Sequence, residues 1–270
     1  MRAGVITLLL LALLATTAGA EEAPPRFLGM AVCRSVTTGP DGLTELHGAH
    51  NAVWSTLPAT EDLEVYTRWM GSGVHTVSVV VTSPTTGEKL AERSDEIDFG
   101  HDPVTFFTHD LAGTTFNAAG VYAVSVDLDG RNVAQYALYV DDAADLPMRP
   151  AFVLSVPASS GSTDTRGEAR VTGIFEYFTF RSFPAADSFS FVTLWFSGAG
   201  SFTQRLQITD TDGRVLATSR ATAFSATPGQ MRVVVDSFDG VVFDSPGTYT
   251  ATLFLDGVRV VSSPLVIGGG

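Results

Sequence analysis

The sequence predicts an all-β protein with two tandem immunoglobulin-like β-sandwich domains after a cleavable signal peptide. The first reason is a phrase that occurs twice, GVYAVSVDLDG at 120–130 and GTYTATLFLDG at 247–257. The second is that glycines separate short runs rich in Val, Thr, Phe and Tyr. No stretch repeats apolar residues at the spacing of three and four that a long helix requires. About seven or eight strands per domain, with a turn roughly every 8 to 12 residues, are typical of a two-sheet sandwich.

The N-terminal 20 residues have the layout of a secretory signal peptide. Arg2 precedes an apolar run at 5–14, and small residues occupy 18–20. The run is shorter than the roughly 20 residues that span a bilayer, which disfavours a membrane anchor. We therefore expect cleavage near Ala20 and an exported chain, periplasmic or extracellular, with no membrane span in its mature part.

Internal repetition predicts the domain boundaries. Matching residues recur at offsets that drift from 125 to 127, as small loop insertions would produce in two copies of one domain. The matched pairs are Gly48 with Gly173, Pro58 with Pro184, Trp69 with Trp195, Gly87 with Gly213, Gly113 with Gly240, Phe116 with Phe243 and Tyr122 with Tyr249. We predict a polar leader at 21–25, a first domain at 26–140, a linker at 141–150 and a second domain at 151–267. The two domains are called the first half and the second half below.

Strand and turn residues account for the repeated phrase. Alternation places Val77, Val79 and Val81 on one face of a strand. Tyr122 and its match Tyr249 each begin the penultimate strand of a half, where we expect a structural ring inside and a hydroxyl at a corner. The Asp-Gly pairs at 129–130 and 256–257 favour two-residue hairpin turns, because both residues tolerate positive φ.

Charge and cysteine content exclude some functions. The chain has 16 Lys and Arg against 29 Asp and Glu, a net charge of −13, and loss of Arg2 with the signal peptide makes it −14. Such an acidic chain is not expected to bind nucleic acid or anionic lipid. Cys33 is the single cysteine, so an internal disulfide is excluded. We expect a buried thiol in a strand, with intermolecular pairing or a reactive thiol as alternatives.

The first alternative function is metal binding by the histidines of the first half. His47, His50, His101 and His109 all lie in the first half, with Asp102 and Asp110 nearby in sequence. Zinc or copper would need three or four such ligands to converge. The second half has no histidine and carries Thr172 where the first has His47. We predict no metal site, and leave convergence of the four histidines as the alternative.

Other motifs are weaker. Asp-x-Asp-Gly at 127–130 and 210–213 resembles the start of a calcium loop, yet Leu138 and Ala221 occupy the twelfth position where glutamate is needed. Hairpin turns explain both stretches, and calcium in another loop geometry stays an alternative. We find no Gly-x-Ser-x-Gly elbow, no glycine-rich phosphate loop and no facing carboxylate pair. We therefore predict no catalytic residue and no cofactor.

An aromatic run, IFEYFTFRSFPAADSFSF at 174–191, is the most unusual local composition. If Phe175 to Phe191 formed one strand, alternation would place aromatic rings on both of its faces. A central strand entering the core is the expectation. An exposed ledge for a protein or saccharide, or a surface between the domains, is the alternative.

The ordered features AVCRSV, LTELHG, Pro58, TRWMGSGVHTVSVVV, Gly87 and FNAAGVYAVSVDLDGRNVAQYALYV resemble a bacterial family of β-sandwich domains of unknown function, here in two copies. The first half follows the pattern nearly throughout. The second has AFVLSVPA in place of the cysteine strand, but keeps the Gly, Pro and Gly-x-Tyr positions. The resemblance implies the fold and supplies no catalytic residues.

These observations predict an exported, non-catalytic binding or structural module that engages a protein or glycan partner in the cell envelope or outside the cell. A metal-binding protein that uses the histidines of the first half, or an accessory domain of an enzyme system, are the alternatives. The oligomeric state stays open.

Overall fold

The computed structural model describes residues 24–83, 85–100, 102–141 and 144–269, which form twenty β-strands and no helix. Within these ranges, no helix is long and apolar enough to cross a membrane. The predicted signal peptide lies outside the described residues. The all-β fold predicted from the sequence is confirmed.

The first half contains ten strands arranged as a sandwich. They are β1 (Arg26–Cys33), β2 (Ser35–Thr38), β3 (Thr44–Ala49), β4 (Ala52–Val53), β5 (Ala59–Met70), β6 (Val74–Thr82), β7 (Lys89–Asp98), β8 (Thr105–Phe116), β9 (Gly120–Leu128) and β10 (Arg131–Val140). One sheet has the order β1-β5-β8 and the other the order β4-β10-β9-β6-β7. Val77, Val79 and Val81 are fully buried in the core between these sheets, as the alternation predicted.

The second half contains another ten strands around its own core. They are β11 (Ala151–Thr163), β12 (Ala169–Ile174), β13 (Phe178–Phe180), β14 (Ala185–Phe196), β15 (Gly200–Thr209), β16 (Val215–Thr218), β17 (Thr222–Ala226), β18 (Met231–Phe243), β19 (Gly247–Leu255) and β20 (Val258–Gly269). Strands β18-β14-β11 face the sheet β13-β20-β19-β15-β16, and β17 also pairs with β15. Phe191, Trp195 and Phe243 fill the space between the two sheets.

The same tyrosine hydrogen bond and the same hairpin turn occur at matched positions in both halves. The hydroxyl of Tyr122 donates to the carbonyl of Ala118, and that of Tyr249 to Ser245, both at 2.8 Å. Each tyrosine therefore closes a corner four residues upstream, as predicted. The hairpins after these strands turn at Asp129 and Asp256, with φ of 50° and 51°. Glycines with φ of 74° and 77° follow them, so both turns have the positive φ pair of a type I′ turn.

One sheet runs through both halves. β12 pairs with β3, which extends β18-β14-β11 into the six-stranded order β18-β14-β11-β12-β3-β2. The pairs in this junction are Ala169 with Ala49, Val171 with Leu46, and Ile174 with Thr44. At the offset of 125, β12 is the counterpart of β3, so equivalent strands meet antiparallel about a point between Leu46 and Val171. The halves are thus related locally by a pseudo-two-fold axis, the geometry of a symmetric dimer interface.

A third hydrophobic core lies between the two halves. Ala31, Cys33 and Tyr66 of the first half pack with Leu154 and Val156 of the second, all nearly inaccessible to solvent. β1 therefore buries one face in its own sandwich and the other against the second half. The halves share an apolar interface in addition to the linker, in which Pro147 and Met148 accept backbone hydrogen bonds from residues 198 and 199.

A buried ion pair also crosses this interface. Arg68 is 2% exposed, and its Nε donates to Glu176 Oε2 at 2.7 Å. The hydroxyl of Tyr66 donates to Glu176 Oε1 at 2.9 Å. Burial, followed by the Glu176 carboxylate, raises the pKa of Tyr66 well above its ordinary value. The hydroxyl therefore stays protonated and remains a donor.

The aromatic run is not a single central strand, so that expectation was wrong. β12 ends at Ile174, β13 is a three-residue strand on the edge of its sheet, and β14 begins only at Ala185 after a cis peptide bond before Pro184. Phe189 and Phe191 are buried, whereas Phe178 packs half-buried against the same core. Glu176 contacts Arg68 in the segment between β12 and β13. Phe180 and Phe183 also pack against the second core, whereas Tyr177 is 38% exposed.

Candidate functional site

A cleft of about 260 Å³ opens where the two halves meet, beside the junction of β3 and β12. The first half contributes residues that follow β1, link β3 to β4, or lie early in β5. The second half contributes the β11–β12 hairpin, the turn before β18, and the adjoining strand ends. The polar and aromatic groups of the lining are Arg34, His50, Asn51, Trp54, Glu61, Arg166, Glu168 and Phe196.

Arg34 joins the two walls of the cleft. Its Nε and Nη2 donate to Glu168 Oε1 at 2.9 and 2.6 Å, and Nη1 donates to Glu61 Oε2 at 3.3 Å. Hydrogen bonding to Glu168 is the main cause that raises the pKa of Arg34. The guanidinium therefore crosses between the halves and is fixed by a carboxylate on each side.

His50 lines the cleft and has a buried acceptor. The residue is 4% exposed, and its Nδ1 lies 2.7 Å from the carbonyl oxygen of Gly48. A carbonyl can only accept, so Nδ1 carries the proton and Nε2 carries a lone pair. No described protein group hydrogen bonds to Nε2. Burial is the main cause that lowers the pKa of His50, which keeps the ring neutral.

Two further groups complete the lining. Asn51 donates from Nδ2 to the carbonyl of Ala137 at 3.2 Å, while its buried Oδ1 has no hydrogen-bond partner among the described groups. Trp54 is 48% exposed, and its indole N–H donates to the carbonyl of Gly229 at 3.4 Å. A Cβ at Gly229 would lie 2.8 Å from Trp54 Cζ2, so only glycine permits this close approach.

The second half has no equivalent cleft chemistry. The backbone N–H of His50 donates to Val32, and that of Phe175 donates to Pro157, which fixes residues 50 and 175 as structural counterparts. By the same offset of 125, Ser159 and Thr179 replace Arg34 and Trp54, and at the offset of 126 that relates Pro58 to Pro184, Asp187 replaces Glu61. Polar groups therefore converge at one end of the pseudo-two-fold arrangement, whereas a phenylalanine occupies the corresponding position at the other.

The predicted histidines have separate surroundings. His47 Nε2 contacts Thr37 at 2.9 Å and Glu45 at 3.3 Å, whereas His50 faces the cleft. His109 is buried against Thr67, 3.1 Å from Nε2. His101 lies outside the described residues. In the part of the chain that the structure describes, no group of three or more His, Cys, Asp or Glu side chains is placed to hold a metal ion.

The calcium-like stretches are hydrogen-bonded turns. Asp127 accepts from Asn132 Nδ2 at 3.0 Å, and Asp129 accepts from the backbone N–H of Thr76 at 2.9 Å. Asp210 Oδ1 accepts from the backbone N–H of residue 214 at 2.8 Å, and its Oδ2 from the Nε of the same arginine at 2.9 Å. Arg214 therefore occupies the space beside this carboxylate.

Cys33 is fully buried in the core between the halves. Burial is the main cause that raises the pKa of its thiol, and the carboxylate of Glu64 adds to it. The thiol is consequently protonated and shielded, as expected for a structural cysteine.

Most of the residues that line the cleft could not be predicted from the sequence. Arg34 and Glu168 are 134 positions apart, and isolated charged residues carry no motif. Trp54 had one available signal: it was the single aromatic residue in the segment GAHNAVWSTLP, which corresponds to the aromatic run of the second half. The sequence predicts His50 only as a candidate metal ligand, and the structure places it in a mixed polar and aromatic cleft.

Residues 159–268 match the model of a family of unknown function, DUF6941. The match lies on the second half, which lacks the cysteine of the first half. Similarity to a family of unknown function is therefore supported for that region. No curated protein sequence matches the chain closely enough to count as a relative.

Two solved structures share a limited similarity with the chain. The crystal structure of red sea bream transglutaminase aligns at 8% identity and a TM-score of 0.27, over 90% of this chain and 31% of that one. The crystal structure of dimeric latent PorU from Porphyromonas gingivalis aligns at 10% identity and a TM-score of 0.33, over 92% and 20%. The chain thus spans less than a third of either structure, and similarity this weak carries no functional argument.

Proposed function

We propose that the protein is an exported, non-catalytic binding module that engages a protein or glycan partner in the cell envelope or outside the cell, and that the cleft between its halves is the binding site. The carrying observation is that His50, which lines the polar cleft, has a buried lone pair on Nε2 without a donor among the described protein groups. A buried acceptor without a donor costs free energy, and a bound ligand would remove that cost.

The make-up of the lining supports binding rather than covalent chemistry. The described cleft residues include no serine, threonine or cysteine that could act as a nucleophile. The two carboxylates, Glu61 and Glu168, are both hydrogen bonded to the Arg34 guanidinium. These groups are therefore suited to hold a polar ligand in place through hydrogen bonds.

The cleft also has the rigidity that binding sites require. It is framed by the strand pairing of β3 with β12, by the Arg34 bridge, and by the contact of Trp54 with Gly229. Since the walls come from both halves, the shared sheet positions them before a ligand arrives. Preformed walls reduce the entropy that must be lost on binding.

Site-specific photo-crosslinking in the producing cells tests this proposal. A photoreactive phenylalanine analogue at position 54 should give an adduct, whereas the same analogue at Val74 or Val258, which are 59% and 58% exposed, should not. Protease digestion and sugar labelling then show whether the adduct is protein or glycan. Absence of any adduct specific to position 54 would contradict the binding site. Retention of the whole protein inside the cell, with residues 1–20 uncleaved, would contradict export.

A further inference from the structure

The cleft carries no net charge. The guanidiniums of Arg34 and Arg166 are balanced by the carboxylates of Glu61 and Glu168, and His50 is neutral. The chain as a whole is strongly acidic, so this local balance is a property of the cleft itself. A balanced lining gives no net Coulomb attraction to an anion or to a cation. Ligand charge is therefore not what this cleft selects.

The polar groups require a ligand that both donates and accepts. The partly exposed carboxylates of Glu61 and Glu168 accept hydrogen bonds at the surface of the cleft, and the buried Nε2 of His50 and Oδ1 of Asn51 behind it have no donor among the described groups. Arg34 and Arg166 offer N–H groups that need acceptors. Arg166 makes no ion pair among the described residues, and its side chain is exposed at the rim. A hydroxyl group meets both needs because it donates one hydrogen bond and accepts others.

Trp54 adds an apolar surface to these polar groups. Nearly half of its side chain is exposed, and its N–H is already occupied by the carbonyl of Gly229. What remains available to a ligand is the carbon surface of the ring, which favours contact with apolar C–H groups. The matching ligand has one apolar face and a hydroxyl-bearing edge, as a sugar ring does.

The size of the cleft limits how much of a ligand enters. Its volume of about 260 Å³ is just below the roughly 300–1,000 Å³ typical of pockets for drug-sized molecules. One six-membered ring fits such a space more readily than a longer chain. Additional residues of a glycan would extend past Trp54 and Arg166 into solvent.

We propose that the cleft binds a single neutral sugar residue of a glycan, with Trp54 against its C–H face and His50, Glu61 and Arg34 on its hydroxyls. This rests on the proposed function as a binding module and specifies the ligand class. Because Phe175 and Thr179 replace the histidine and tryptophan in the second half, each chain has one such site. Binding is therefore expected at one sugar per chain.

Tryptophan fluorescence gives a direct assay. Trp69 and Trp195 are buried, whereas Trp54 is exposed, so quenching by acrylamide reports on Trp54. The full chain is titrated with the methyl glycosides of glucose, galactose, mannose and N-acetylglucosamine, and separately with succinate and choline. At least one glycoside should protect Trp54 saturably, with a dissociation constant on the order of 1 mM.

Matched variants locate the bound sugar. Glu61→Gln should weaken binding at least tenfold through loss of a charged acceptor, and Asp187→Asn, at the counterpart position of the second half, should leave binding unchanged. His50→Phe, which copies Phe175, should abolish binding. Circular dichroism and the unfolding midpoint verify the fold of each variant, and Glu61→Gln still decides the matter if His50→Phe does not fold.

The outcomes separate this inference from the proposed function. Protection by succinate or choline and not by any glycoside would overturn the sugar assignment. So would no response to any glycoside up to about 50 mM, or equal loss of binding in Glu61→Gln and Asp187→Asn. An adduct specific to position 54 in the crosslinking experiment would still support a binding module in each of those cases. If that adduct proved to be protein alone, it would likewise count against the sugar.

Discussion

Replacement of Glu176 by alanine should destabilise the protein through the interface between its halves. The substitution removes the carboxylate that accepts from Arg68 Nε at 2.7 Å and from the Tyr66 hydroxyl at 2.9 Å. The Arg68 side chain is 3% exposed and that of Glu176 13%, so a buried guanidinium would keep one hydrogen bond, to the backbone carbonyl of residue 176. Breaking a buried pair from one side costs about 3–5 kcal/mol, and the partial exposure of Glu176 favours about 3 kcal/mol.

Urea unfolding followed by fluorescence and circular dichroism measures this loss. Glu45→Gln is the matched control, because it breaks another ion pair between the halves, Glu45 with Arg170 at 3.1 Å, whose arginine side chain is 54% exposed. That control should cost about 1 kcal/mol or less. The double variant R68M/E176L removes both charges and should be more stable than Glu176→Ala alone. If Glu176→Ala costs no more than Glu45→Gln, the buried pair does not stabilise the interface.

Three further predictions follow from local geometry. Tyr122→Phe and Tyr249→Phe should each lower the free energy of unfolding by about 1 kcal/mol, and the double variant should lose the sum, because the two corners share no partner; a large coupling energy would contradict this. Burial lowers the pKa of His109 below its usual value of about 6.5. Its stabilising contribution is therefore fully present above that value and is lost as the pH falls through the lowered pKa, so His109→Gln should weaken the decline in stability between about pH 7 and about pH 5. Equal slopes for both proteins would refute this. Cys33 should resist a thiol reagent in the native protein and react fully in urea; fast labelling of the folded chain would show that the core between the halves opens.

Strand and turn positions were predictable because their signals are local. The alternation of Val77, Val79 and Val81 and the Asp-Gly turns each depend on a few neighbouring residues, and the structure places them as expected. The pairing of β3 with β12 was not predictable, since it uses backbone groups that have no residue signature. One signal of the shared core was present: the segments MAVC and AFVL are apolar at successive positions, which is typical of strands buried on both faces.

The aromatic run shows why composition alone misled. Period-two alternation over the whole length of the run predicts that its rings lie on one strand. The chain instead turns after Ile174, where Glu176 is drawn to a buried arginine more than a hundred positions earlier. A long-range ion pair thus accompanies the turn, and a single sequence contains no information about which charge will be its partner.

The cleft follows from the symmetry of the junction and from the residues that break it. Pairing of equivalent strands about Leu46 and Val171 brings two equivalent sets of positions to the two ends of that junction. At one end Glu176 and Phe175 close the contact with Arg68 and neighbouring rings; at the other end Asn51 and His50 occupy the same positions and leave a polar opening. Identical residues at both ends would have produced either two clefts or none. A single site on a repeated scaffold therefore requires substitutions of this kind, and the replacement of His50 by the phenylalanine found at position 175 should remove it.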